Sequence, residues 1–132
     1  AELLAVPIVE SGYKKNALSS AKAAGIWQFI PQTARRCGLE VSKKNDERLN
    51  PKRLTQAAVC YYQKLHAIFQ DWHVAIAAYN VGERRMMNVI ADASHNDVLK
   101  LSREGLLGQE GGNYLPKVIA GMIIMKNPEL IE

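Results

Sequence analysis

Between residues 50 and 68 the chain reads NPKRLTQAAVCYYQKLHAI, with Leu54, Ala58, Tyr61, Leu65 and Ile68 recurring at alternating spacings of four and three. Only an α-helix gathers such positions onto one face, so this stretch predicts a core-facing helix, capped by Asn50 and opened by Pro51. No segment alternates apolar and polar residues between hairpin turns, and an all-α fold is expected. Further helices are predicted from Pro31 to just before Gly38, from Trp72 through WHVAIAAY, over 83 to 93 with Met86, Ile90 and Ala93 on one face, and over 113 to 126 with Leu115, Val118, Ile119, Met122 and Ile123 inward. Residues 2 to 11 predict one short helix kinked at Pro7, apolar on all sides and therefore buried.

At 132 residues the chain fits one domain, 1 to 132, with a single core. Seventeen basic against thirteen acidic residues give +4, but the basic residues come as scattered pairs such as Lys14 and Lys15 or Arg84 and Arg85, with no motif for base readout. Nucleic acid is not an expected partner. Cys37 and Cys60 are too few and too far apart for a metal knuckle or a CxxC motif, and buried thiols are favoured over a single disulfide. His66 and His73 lack acidic or cysteine companions, so neither a metal nor another cofactor is expected. The richest apolar tract, VIAGMIIM, stops after eight residues, well short of the roughly 20 that span a bilayer. No secretion signal is visible, which leaves either a cytosolic protein or a mature or trimmed domain, and a start at Ala1 directly on a hydrophobic helix favours trimming.

Glu10 closes the apolar run AELLAVPIV. An apolar helix beneath it, the negative end of that helix's dipole and a turn at Gly12 would each make its ionised form costly. Such a glutamate would stay protonated above its ordinary pKa of about 4.3, as a general acid must. The plainer alternative is a glutamate that has merely reached solvent. The segments downstream shift the balance. A loop rich in small residues leads into Gly25, Ile26, Trp27 and Gln28, and AAYNVGE ends a buried helix with Tyr79 and Asn80. Small residues admit a ligand's bulk, Trp27 offers a flat face to a sugar if it is not simply core, and Gln28 and Asn80 offer paired donors and acceptors.

Taken in order, ESGY, GIWQFIP, DERLNP, AAYNVGE and NYLPK resemble the catalytic domain of the lytic transglycosylases that cleave peptidoglycan, and are most similar to the membrane-bound type D group. The resemblance runs from Ala1 to Glu132 and implies a lysozyme-like all-α fold with a substrate groove. It makes Glu10 the single catalytic acid and base, with Ser11 beside it from the family's Glu-Ser pair. Gln28 matches the glutamine ending the family's Gly-Leu-Met-Gln type motif, Tyr79 and Asn80 its Ala-Tyr-Asn motif, and Tyr114 the C-terminal tyrosine that lies near the acid. The implied partner is the peptidoglycan glycan strand, met by a monomer in the periplasm or cell envelope. Any membrane attachment would lie in segments outside these residues, since type D relatives often carry a lipid anchor and lysin-motif repeats.

The sequence departs from the family pattern at QEGGNYLPK, where Gly111 and Gly112 replace bulkier residues and predict a looser loop, and at Lys22, which stands where a small residue is usual. Glu47 and Glu83 are not assigned chemistry, and Glu47 is expected to hold a loop through polar contacts. Two alternatives remain open at this level: a hydrolase that shares the acid but delivers water, and a glycan-binding domain without turnover.

Overall fold

A computed structural model describes residues 1 to 131. Seven α-helices and three 3-10 turns account for the regular structure of the described residues, and β-structure among them is confined to isolated bridges at Leu18–Ala24, Ala24–Phe29 and Val41–Asp46. The fold is all-α. The chain gathers into two compact units, one formed by residues 1 to 61 with those from 120 onward, the other by residues 62 to 119. The divisions fall inside two long helices, α3 (Pro51–Phe69) and α7 (Gly108–Lys126).

The first unit opens with a 3-10 turn, Glu2–Ala5, and α1, Val6–Ser11. Pro7 sits in the first turn of α1, where its missing N–H has no intrahelical partner to lose, and the single helix expected over residues 2 to 11 is divided into a 3-10 turn and an α-helix. Ala5, Val6 and Pro7 are buried, whereas Leu4 and Ile8 are exposed. The segment therefore buries one face only, and the expectation of burial all round is corrected. Gly12 ends α1 at φ 58°, its N–H donating to the Ile8 carbonyl at 3.1 Å. Gly121 of α7 rests against Ala5, where an added Cβ would come within 3.2 Å of the Ala5 Cβ.

Pro31 opens α2, Pro31–Arg36, and Gly38 at φ 84° follows its end. At α3 the Asn50 Oδ1 accepts from the Lys52 and Arg53 amides at 3.1 and 3.2 Å, the cap read from the sequence. Leu54, Ala58, Tyr61 and Leu65 are buried as the stripe requires, but Ile68 is 45% exposed. The periodicity outlasts the neighbours that could cover it.

In the second unit α4, Trp72–Val81, is capped by Asp71, whose carboxylate accepts from the Val74 amide at 3.1 Å. Its residues Val74 to Ala78 are all buried, as an almost wholly apolar helix demands. Helix α5, Glu83–Ala93, buries Met86, while Ile90 and Ala93 are half-buried. Helix α6, Val98–Arg103, buries Val98 and Leu101 behind an Asp97 cap and was not anticipated. Helix α7 starts five residues before the expected position and includes Gln109, Glu110, Gly111 and Gly112, so the looser QEGG loop is also corrected. The physical reason is packing: an added Cβ on Gly111 would lie 2.7 Å from Val81 Cγ1 and 3.3 Å from Leu107 Cβ. Glycine there lets the first turns of α7 close against the end of α4. Leu115 and Val118 point inward as expected, but Ile123 is 50% exposed.

Candidate active site

Glu10 and Ser11 form the last turn of α1, and both are half-buried. The Ser11 hydroxyl donates to the Ile26 carbonyl at 2.7 Å, with the Pro7 carbonyl also in reach at 3.2 Å. Ile26 belongs to the GIWQ segment, so the residue beside Glu10 is bonded directly to the turn that carries Gln28. That turn is tightly wound. Ser19 closes its outer end through the Lys22 and Ala23 amides, Gly25 N–H reaches the Ala17 carbonyl at 3.0 Å, and Ala24 and Phe29 exchange both backbone hydrogen bonds at 3.0 and 3.1 Å.

Three residues of this loop, Lys22, Gly25 and Gln28, have positive φ, at 64°, 82° and 53°. For a residue with a Cβ the left-handed region costs roughly 1–2 kcal/mol, so Lys22 and Gln28 hold conformations the isolated chain would avoid. Contacts within the loop and against Arg48 hold them there. The Gln28 Nε2 donates to the Gly25 carbonyl at 2.9 Å and the Ala17 carbonyl at 3.2 Å, closing the turn from inside and leaving its Oε1 as the atom able to accept from a ligand. Gly25 lies so close to the Arg48 backbone that an added Cβ would fall 2.1 Å from the Arg48 carbonyl oxygen.

Trp27 takes the plainer of its two readings. It is 2% exposed and its Nε1 donates to Thr55 Oγ1 at 2.9 Å, which makes it core and leaves no face for a sugar. Behind the loop sits Arg48, 5% exposed. Its guanidinium grips Asp46 in a fork, Nε to Oδ1 at 2.9 Å and Nη2 to Oδ2 at 2.8 Å, while Nη1 donates to the Lys22 and Phe29 carbonyls at 2.7 and 2.8 Å. The Arg48 hydrogen bonds hold the Asp46 carboxyl below its usual range, outweighing the opposing effect of its partial burial. Glu47 accepts from Arg53 Nε at 3.0 Å and the Glu40 amide at 2.6 Å, and both contacts lower its pKa. It anchors a loop, the role its place in DERLNP suggested.

The second unit carries Tyr79, Asn80 and Tyr114. The Tyr79 ring stacks on Tyr62 with centroids 4.8 Å apart and planes within 2°. Asn80, at the end of α4, donates from Nδ2 to Glu110 Oε1 at 3.4 Å, and Tyr114 is buried in α7. An open cavity of about 240 Å³ lies beside Asn80, with Arg85, Gln109 and Glu110 on its walls. Thus Glu10, Ser11 and Gln28 are tied together in one unit, and Tyr79, Asn80 and Tyr114 belong to the other.

Two residues with a place in these arrangements were given no role from sequence, Arg48 and Glu110. Only the Asp46-x-Arg48 spacing next to a helix start hinted at the first. His66 stacks on Trp72 at 4.2 Å, and Cys37 and Cys60 are half-buried thiols. Among the described residues no group of three or more His, Cys, Asp and Glu could hold a metal ion, and no helix is long and apolar enough to cross a membrane.

Residues 1–101 match the family model of the transglycosylase SLT domain. Over 131 residues, 96% of the chain, the sequence is 41% identical to the membrane-bound lytic murein transglycosylase D of Escherichia coli K12, of whose length it spans 28%. It is 36% identical to the peptidoglycan transglycosylase of Escherichia phage T7 over 99 residues, 73% of this chain and 8% of that one. The 70-kDa soluble lytic transglycosylase solved with bulgecin A superposes at a TM-score of 0.82, with 20% identity over 97% of this chain and 22% of that one, a likeness of fold. A match over most of its length, and a relative this similar across nearly all of it, place the chain in the transglycosylase SLT domain family.

Proposed function

We propose that this chain is a peptidoglycan lytic transglycosylase domain that cleaves the β-1,4 bond between N-acetylmuramic acid and N-acetylglucosamine, with Glu10 acting first as acid and then as base. The observation that carries the reading is the 2.7 Å hydrogen bond from Ser11 to the Ile26 carbonyl, which links the Glu10 turn to the Gln28 turn within a chain of this family.

In this reading the Glu10 carboxyl gives its proton to the glycosidic oxygen as the C1–O4 bond breaks. The resulting carboxylate takes the proton of the muramyl C6 hydroxyl, and O6 closes onto C1 to leave a 1,6-anhydro sugar. Proton and bonds balance without water, which explains why one carboxylate suffices where an ordinary glycosidase needs two. Gln28, through Oε1, and Asn80 hydrogen-bond the substrate, Tyr79 contacts the sugar, Tyr114, only 4% exposed, backs the site from within α7, and Ser11 fixes the acid's turn. All six residues come from one chain, so a monomer is enough and no cofactor is called for. Its substrate locates the domain's work at the cell envelope, in the periplasm.

The test is mass analysis of the products released from purified sacculi by the unaltered chain and by Glu10→Gln. The anhydro product, lighter by one water than a hydrolytic one, should appear with the first and vanish with the second. A hydrated product would make the domain a hydrolase, and undiminished release by Glu10→Gln would remove Glu10 from the chemistry.

A further inference from the structure

We propose that Arg48 is the positioning residue for Gln28, acting through the loop of residues 17 to 30. The inference rests on Gln28 being a substrate contact, as above, but its content is separate: a buried guanidinium, remote in sequence from the loop, sets the conformation in which the Gln28 side chain can be used.

The geometry is specific. One nitrogen, Nη1, donates to two backbone carbonyls of the loop, Lys22 at 2.7 Å and Phe29 at 2.8 Å. These residues flank the strained stretch, since Lys22 is its first left-handed residue and Phe29 follows Gln28, its last. The guanidinium is itself aimed by the Asp46 fork, so its plane has little freedom to rotate. The Arg48 backbone forms the wall against which Gly25 closes. Side chain and main chain of one residue therefore hold the start, middle and end of the turn whose Gln28 amide points inward to Gly25 and Ala17. A lysine could keep the charge, but its compact ammonium cannot fork onto Asp46 while also spanning both carbonyls.

The test is a double-mutant cycle on the chain, measuring anhydro-sugar release from sacculi by the unaltered protein, Arg48→Lys, Gln28→Ala and the double variant. Each is assayed at a temperature where circular dichroism shows it folded. Misplacing a positioned group by about an ångström can cost on the order of a hundredfold, so Arg48→Lys should lower turnover roughly ten- to a hundredfold. In the Gln28→Ala background the same change should cost less than about twofold, because the group it positions is already gone. Equal factors in both backgrounds, or unchanged turnover by Arg48→Lys, would overturn the proposal. Should Arg48→Lys not fold, Asp46→Asn takes its place in the cycle, keeping every guanidinium donor while removing the negative charge and one of the two acceptors that orient them. Retained turnover by Glu10→Gln would refute the catalytic assignment and leave this coupling measurable, so the two readings fail separately.

Discussion

The glycines at 111 and 112 are neighbours in one helix, and replacing each by alanine should have opposite effects. A helical glycine replaced by alanine gains roughly 0.5–1 kcal/mol, because the unfolded chain has less freedom to lose. At Gly112 nothing opposes that gain: the nearest atom to an added Cβ is Ser102 Cβ at 3.6 Å, ordinary van der Waals distance. Gly112→Ala should therefore stabilise by about 0.5–1 kcal/mol. At Gly111 the added carbon would meet Val81 Cγ1 at 2.7 Å and Leu107 Cβ at 3.3 Å. Valine is branched at Cβ and stiff at χ1, so the contact cannot be relieved by a simple swing of the side chain. Overpacking of this kind costs about 1–3 kcal/mol, which exceeds the propensity gain and leaves Gly111→Ala destabilised by roughly 0.5–2 kcal/mol.

Urea unfolding followed by far-ultraviolet circular dichroism reads the sign directly, as midpoints displaced in opposite directions about the parent. Turnover adds a second readout, because Val81 adjoins Asn80 and the added carbon would sit 3.8 Å from Asn80 Oδ1. Gly111→Ala should slow anhydro-sugar release while Gly112→Ala leaves it unchanged. Midpoints moving the same way in both variants would refute the claim that close approach, and not helix propensity, places glycine at 111.

Trp27→Phe removes the Thr55 hydrogen bond from a buried ring and should lower stability by about 1–2 kcal/mol, with turnover kept by the folded protein; lost turnover at full stability would restore Trp27 as a sugar platform. Ser11→Ala breaks the bond to the Ile26 carbonyl and should cost about 1 kcal/mol in denaturant unfolding together with reduced turnover, whereas a drop in stability alone would separate Ser11 from the acid's turn. The Asp46 pKa is depressed by Arg48, so the associated stability is complete above the unfolded value of about 3.9 and is lost as pH falls through the lower folded value. The stability gap between the parent and Asp46→Asn should accordingly be widest near neutral pH and close in strong acid; a gap that persists there would show that charge is not its source.

Local signals were legible wherever one residue type does one job within a turn of its neighbours. Asn50, Gly12 and Gly38 could be read because capping and left-handed helix ends are decided within a few residues, and the α3 stripe because period alone selects a face. What failed depended on partners distant in sequence. Ile68 and Ile123 keep the period yet lie exposed, since periodicity names a face and only neighbours can cover it. Helix α6 is six residues long, too short for a periodicity to declare itself, and only its Asp97 cap could have signalled it. Gly111 looked like a loop residue because propensity is all a sequence displays there, and the Val81 methyl it accommodates is thirty positions away.

The candidate site divides along the same line. Motif resemblance selected Glu10, Ser11, Gln28, Tyr79, Asn80 and Tyr114 one by one, but it carries no geometry. That the Gln28 Nε2 is committed to its own loop, that Trp27 points inward to Thr55, and that Asn80 bonds to Glu110 are facts of convergence between segments 3 to 30 residues apart. Arg48 is the extreme case. Arginine is rarely fully buried unless paired, and in the sequence it stands among charged residues like any solvated cation. Its burial becomes favourable only after Lys22 and Phe29 have turned their carbonyls toward it and Asp46 has matched its charge. Those carbonyls are turned by a loop whose left-handed residues are costly on their own, so the burial of Arg48 and the conformation of the loop support each other.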